Sequence, residues 1–324
     1  MFNKLAAIIS TTFHETIRQP IFGVLTWVAV GLLILNPSIS AFSLESGKDS
    51  KIMQDVGLAT LLLYGLLTSA FTACSVISRE IESRTVLTVI SKPVSRPLFL
   101  LGKFLGVCSG VLLGYFFLTL VFLLTVRHGV MEAVSDPYDQ PVLVFSAIVL
   151  LVSLAAAIWG NYVYGWHFST TLTTWVVPLT ACALLAVLFI GPQWQVQSAA
   201  KDFGNMQIIY AVSMVFCAVL ILSALAVSLS TRFGQALTLV FCAALFVLGL
   251  VSDHYFGRFQ HDALAYDVAY RLLPNFQFFW VGDALTQELT IEFAQVARVA
   301  AYSGCYSLAV IGLGVALFQT REVG

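Results

Sequence analysis

Gly102 and Lys103 stand where a phosphate-binding loop would end. That chemistry needs a glycine five residues earlier, so that backbone N–H groups reach the phosphates. It also needs a Ser or Thr after the lysine to hold magnesium. Pro97 and Phe104 occupy those two positions, so the chain is expected to bind no ATP by itself. His254 and His261, with Asp253 and Asp262, have the side chains for a metal site. Their spacing matches no known ligand pattern, and a solvated face is expected instead. The patterns H-E-x-x-H, G-x-S-x-G and C-x-x-C are absent from the sequence. Cys74, Cys108, Cys182, Cys217, Cys242 and Cys305 all fall in apolar stretches and read as small buried hydrophobes. No catalytic residue, metal or other cofactor is expected, and the chain is not read as an enzyme.

Composition sets the elements that carry these residues. Of 324 residues, 59% are apolar or aromatic and 10% charged, and mean hydropathy is +0.91. Soluble domains carry about 25% charged residues. A soluble globular enzyme and a disordered chain are thereby excluded. A net charge of −1 gives no field to attract polyanions, so nucleic acid is not a partner. A crossing helix needs about 20 apolar residues. Charge-free runs predict eight crossings, at about 21–37, 57–78, 98–126, 142–160, 172–191, 207–229, 234–252 and 297–319. The run 140–200 is too long for one crossing. Its aromatic, polar break from Trp159 to His167 reads as a turn at the membrane interface. The crossings hold essentially no Asp, Glu, Lys or Arg, the groups that serve as relays in ion-coupled transporters. If the protein moves something, its energy comes from outside the membrane.

With both termini in the cytoplasm, nine Lys and Arg fall on inner segments and seven on outer ones; three of the seven lie in or beside the long loop 253–298. Positive residues favour the cytoplasmic side, and long loops weigh less in that rule. Ser38-Ile39-Ser40 ahead of Ala41 mimics a cleavage site, but the apolar run starts only after 20 amphipathic residues, so a crossing is expected. Leu5, Ile9, Phe13 and Ile17 repeat at i, i+4 opposite Lys4, Thr11, Glu15 and Arg18. This is either a helix in the headgroup plane or a plain extension of the first crossing, and Pro20 ends it. The loop 253–296 carries two amphipathic segments, about 260–273 and 283–296. The aromatic stretch Phe276–Trp280 between them either dips into the interface or belongs to a small ectodomain.

Between the second and third crossings runs the most charged inner segment, 79–97. Arg79, Glu80, Glu82 and Arg84 are followed by the apolar Val86, Leu87, Val89 and Ile90, then by Pro93 and Pro97. A charged helix with an apolar patch is a docking element for a cytoplasmic partner. The β-branched run also permits a strand, and a loop that only sets orientation is the plainer alternative. Gly102, Gly106, Gly110 and Gly114 recur every four residues along the third crossing. Such a stripe lets helices approach closely, within the chain or across a dimer seam.

In this segment the sequence resembles the membrane subunit of type-2 ABC exporters, close to the permeases of multicopper-enzyme maturation. The matching residues are Glu82, Thr85, Pro93, Ser95, Arg96, Gly102 and Lys103, with Arg84 where the family usually has Gly. The resemblance extends to Glu15, Arg18 and Pro20, to Leu273-Pro274-Asn275-Phe276, and to the stretch from Leu317 to Glu322. It implies an all-α polytopic helical bundle: a surface helix over 1–20 and one permease domain over 21–324. Typical members have six crossings, so eight implies an extra helical pair within 140–200. It also implies a dimer, with a second copy or a paralogue, in the inner cell membrane and bound to two separate ATPase subunits. Arg79, Glu80, Glu82, Arg84, Thr85, Pro93, Arg96 and Lys103 become the expected ATPase-docking residues, and 79–91 the helix that transmits nucleotide-driven motion. A membrane anchor that passes ATPase motion to a periplasmic partner, with nothing transported, is the rival; an intramembrane enzyme is more distant.

Overall fold

Backbone chemistry marks the ends of the helices. Pro20 opens one helix and Pro97 lies in the first turn of another, where a missing N–H leaves nothing unpaired. Asp139 caps a third by accepting from the Val142 N–H, with Pro141 in the first turn. That helix ends on Gly165, whose φ of +66° lets its N–H and that of Trp166 turn back onto the Asn161 and Gly160 carbonyls. Trp166 then lies over Gly160, where a β-carbon would stand 2.6 Å from its ring. The break expected between Trp159 and His167 is therefore a tight hairpin turn.

A computed structural model describes residues 2–41, 49–82, 95–131, 138–203, 206–259, 264–282, 285 and 289–319. Its helices are α1 (Phe2–Arg18), α2 (Pro20–Ser40), α3 (Asp49–Glu82), α4 (Arg96–His128), α5 (Gln140–Tyr164), α6 (Phe168–Phe189), α7 (Ala200–Phe203), α8 (Gln207–Ser230), α9 (Gln235–Ser252), α10 (Leu264–Leu272) and α11 (Phe293–Gln319). Eight of them (α2 to α6, α8, α9 and α11) are long and apolar enough to cross a membrane. No named strand occurs among the described residues, where Ile190 and Val196 form an isolated bridge. The chain is an all-α polytopic membrane bundle. The α5–α6 hairpin fills the range expected to hold an extra helical pair.

Two compact units divide the chain: residues 1–22, 62–112 and 210–324 form the first, and 23–61 with 113–209 the second. In the first, α8 is the hub. Ser223 shares a hydroxyl–hydroxyl hydrogen bond of 2.7 Å with Ser69 of α3, and Gly65 admits Val219. On its α11 side, Ser303 donates to the Cys217 carbonyl at 2.6 Å, and Ser228 donates to that of Val310 at 3.0 Å. Small residues and hydroxyls are how helices join in lipid, where apolar burial gives no net drive. Helix exposure follows: α8 buries 72% of its central apolar stretch and α9 only 22%.

The loop after α9 folds back on the helices. Phe276 and Phe279 form a 3-10 turn and are both buried. Phe276 packs on Gly249 and on Phe246 of α9, and Phe279 faces Tyr302 of α11. Phe278 is exposed. Phe276 and Phe279 thus plug the space against α9 and α11, and Phe278 stays outside it. In the second unit, Asn36 of α2 donates to the Met53 carbonyl at 2.7 Å, and Phe122 of α4 lies against Gly57 of α3.

Candidate functional site

The docking residues read from the sequence divide into three groups. Arg79, Glu80 and Glu82 belong to the last turn of α3, which runs unbroken through them. Arg84, Thr85 and Pro93 lie outside the described residues. Arg96 and Lys103 are both in the first third of α4, and the structure gives each a partner far away in sequence.

Lys103 is buried, its side chain 3% exposed, and its Nζ lies 3.3 Å from Oε2 of Glu15 on α1. The same ammonium sits 5.7 Å from the centre of the Phe99 ring. Around this ion pair, α1 is seated on the glycine stripe of α4. A β-carbon at Gly102 would stand 2.7 Å from Ile8, one at Gly106 2.5 Å from Thr12, and one at Gly110 2.5 Å from Thr16. Only glycine permits this approach. A ladder with four-residue steps on both helices is ridge-into-groove packing. The glycine seam therefore has an occupant within the chain along these three residues; Gly114, further along α4, is buried. The stripe side of α1 is Leu5, Ile8, Ile9, Thr12 and Thr16, rotated from the Leu5–Ile9–Phe13–Ile17 line that periodicity suggested. Thr12 and Thr16 contribute methyl groups to the seam.

Arg96 donates from one terminal nitrogen to the Phe318 carbonyl at 3.2 Å and the Gln319 carbonyl at 2.8 Å, with its guanidinium over the Phe318 ring. Arg232, in the turn after α8, donates to the Leu317 carbonyl at 2.6 Å. Two cations thus meet carbonyls of the last described turn of α11, toward the negative end of its dipole.

A second charged cluster went unread in the sequence. Arg127, in the last turn of α4, is 4% exposed in its side chain. Its Nε donates to Asp139 at 3.0 Å, and a terminal nitrogen donates to Asp202 and to the Val187 carbonyl at 3.0 Å. The other terminal nitrogen donates to the Ile190 carbonyl at 2.8 Å. Gln197 completes Asp202 with a 2.6 Å bond. The guanidinium fork suits such multidirectional binding, and the pairing makes its burial tolerable. It ties the end of α4, the start of α5, the end of α6 and α7 into one knot. The available signal was the isolation of these charges at the edges of apolar runs.

Beside α2, α4, α5 and α6 in the second unit lies a cavity of about 550 Å³, lined mainly by apolar side chains. Of the four side chains that could form a metal site, His261 and Asp262 lie outside the described residues. Asp253 instead accepts a 3.1 Å hydrogen bond from the Tyr270 hydroxyl. Partial burial and that bond raise the Tyr270 pKa above its ordinary value. Among the described residues no three His, Cys, Asp or Glu side chains gather to hold a metal. No protein-family model matches the chain, and no curated protein or solved structure does.

Proposed function

We propose that the chain is the permease subunit of an ATP-driven export system. Separate ATP-hydrolysing subunits, two per complex, dock on its 79–97 segment from the cytoplasm, and a second permease copy or a paralogue completes the assembly. Both termini are cytoplasmic, and the membrane is the inner cell membrane. The observation that carries this reading is a pairing. Residues that the resemblance picks out at distant points of the sequence meet in space: Glu15 with Lys103, and Arg96 with Phe318 and Gln319.

This pairing gives the segment something to act on. It leads directly into α4, and the first turns of α4 are fastened to α1 by Lys103 and to α11 by Arg96. A displacement of 79–97 by an ATPase would therefore be felt by three helices. Eight apolar crossings supply the membrane part, and the failed phosphate-loop pattern at Gly102-Lys103 leaves ATP chemistry to the partner.

The test is purification of the tagged chain followed by mass spectrometry and ATPase assay. A soluble ATP-binding subunit in comparable amount is expected, with hydrolysis stimulated by the complex. Glu82→Lys combined with Arg84→Glu should abolish that stimulation without lowering expression, because truncating or reversing a docked charge costs about 2–5 kcal/mol. Recovery of the chain with no such subunit, or unchanged stimulation in the double variant, rejects the proposal. So does micromolar nucleotide binding by the isolated chain.

A further inference from the structure

The 550 Å³ cavity of the second unit has a direction, a mouth and a polar end. Its size falls among small-molecule sites, which run from about 300 to 1,000 Å³. At one end it is bounded where helices stop or start: Ser38 in the last turn of α2, Thr125 and His128 at the end of α4, and Val142 at the start of α5. At the other end stand Trp27, Phe117 and Val176, well inside their helices. From Phe117 to His128 the α4 axis rises about 16 Å, close to the depth of one leaflet's hydrocarbon, half of about 30 Å. The cavity thus extends from the membrane interface inward, along the direction of lipid chains.

Its mouth follows from exposure. Ile34 of α2 and Leu143 and Leu150 of α5 line the cavity and are also among the exposed apolar residues. They belong to helices that cross the bilayer, so the opening between α2 and α5 faces hydrocarbon. Apolar walls reached from hydrocarbon admit chains and exclude water. At the interfacial end, Nδ1 of His128 is buried and has no hydrogen-bond partner among the described residues. A buried polar atom of this kind needs a partner.

We propose that the cavity seats one acyl chain of a membrane phospholipid, which enters from the bilayer between α2 and α5 and places its headgroup end at His128. The proposal stands apart from ATPase docking, since it uses none of the residues at 79–103.

The experiment uses the full chain in phosphatidylcholine nanodiscs doped with a phosphatidylcholine that carries a diazirine at mid-chain. After photolysis, peptide mapping should find adducts on Phe117, Val121 and Ala147 several-fold above those on Leu237 and Val240, exposed residues of α9 that report ordinary lipid contact. Ala147→Trp and Val121→Trp, made separately, should each cut the cavity adducts several-fold and leave the α9 adducts unchanged; the α9 signal also verifies that each variant is folded and inserted. Labelling no greater than that of α9, or labelling that survives both substitutions, overturns the proposal. A photoreactive residue at position 147 that joins two copies of the chain assigns the cavity to a second copy and overturns it equally. His128→Leu should lower adducts from the phospholipid probe but not from a diazirine-bearing alkane. Equal loss, or no loss, with both probes overturns the headgroup assignment.

Discussion

Lys103 and Arg127 lie near opposite ends of α4, and their side chains are almost equally sealed, at 3% and 4% exposure. They are held in different ways. Arg127 is gripped by two carboxylates and two carbonyls that come from three separate stretches of chain. To move it is to break all of these contacts at once, leaving buried carboxylates behind. Lys103 meets Glu15, whose side chain is 42% exposed, on a helix seated by methyl groups against glycine. That contact is the less fixed of the two, because the half-exposed acid can take water in exchange. One end of α4 is knotted, and the other is held by an ion pair that water can reach.

The contrast breaks most severely at Arg127. Arg127→Leu should cost about 3–5 kcal/mol, the penalty for stranding a buried partner, and be read as a large drop in the thermal midpoint in detergent. Replacing Arg127, Asp139 and Asp202 together by apolar or amide residues should recover much of it. A midpoint within error of the parent would mean that the knot is not closed in the membrane.

Gly106→Leu comes next. Its new side chain meets Thr12 and the Ile9 carbonyl, and overpacking of this kind costs about 1–3 kcal/mol. The expected outcome is a detached α1, seen as faster proteolysis before Pro20 and faster thiol labelling of a cysteine at Thr12, while the rest stays folded. Global unfolding at the same denaturant as Arg127→Leu would erase the distinction between the two ends.

Glu15→Gln should be milder, about 1–3 kcal/mol, since the amide oxygen can still accept from the buried Lys103 ammonium while its charge goes uncompensated. Salt should weaken the parent more than the variant. Lys103→Met in that background should be nearly neutral or stabilising, as for buried pairs exchanged for apolar side chains. A loss as large as that of Arg127→Leu would show that Lys103 is as fixed as the arginine.

The last prediction costs no stability and concerns sides. A lone cysteine at Gln287 should react with an impermeant thiol reagent added outside, and one at Asn161 should not. The reverse pattern overturns the proposed topology and, with it, the proposed cytoplasmic placement of the Lys103 end of α4.

The crossings were legible because each is a run free of charge, and the turn at Gly165 because aromatic and polar residues interrupt such a run. Boundaries shifted where packing pays no heed to hydropathy. α3 begins at Asp49, well before the expected 57, since Asn36 holds its polar first turns through Met53. α11 starts at Phe293, ahead of 297. The glycine stripe was visible, but its occupant was not, because a small-residue pattern specifies closeness without naming the neighbour. Asp139 and Asp202 lie 12 and 75 residues from Arg127, and no local period links them. For the aromatic stretch after Asn275, composition showed a need for burial; only the fold of α9 and α11 decides which rings obtain it. The core of the docking segment, 83–94, lies outside the described residues.

The end of α11 carries a consequence for biogenesis. Its described last turn has no basic residue of its own, and it takes Arg96 and Arg232 from segments made earlier. Both arginines reach the membrane surface before their carbonyl partners exist. Arrival of α11 is then the event that closes this face of the bundle, so a ribosome stalled before Phe293 would leave an inserted but unlatched intermediate, recognisable to membrane quality control by two guanidinium groups still waiting in water.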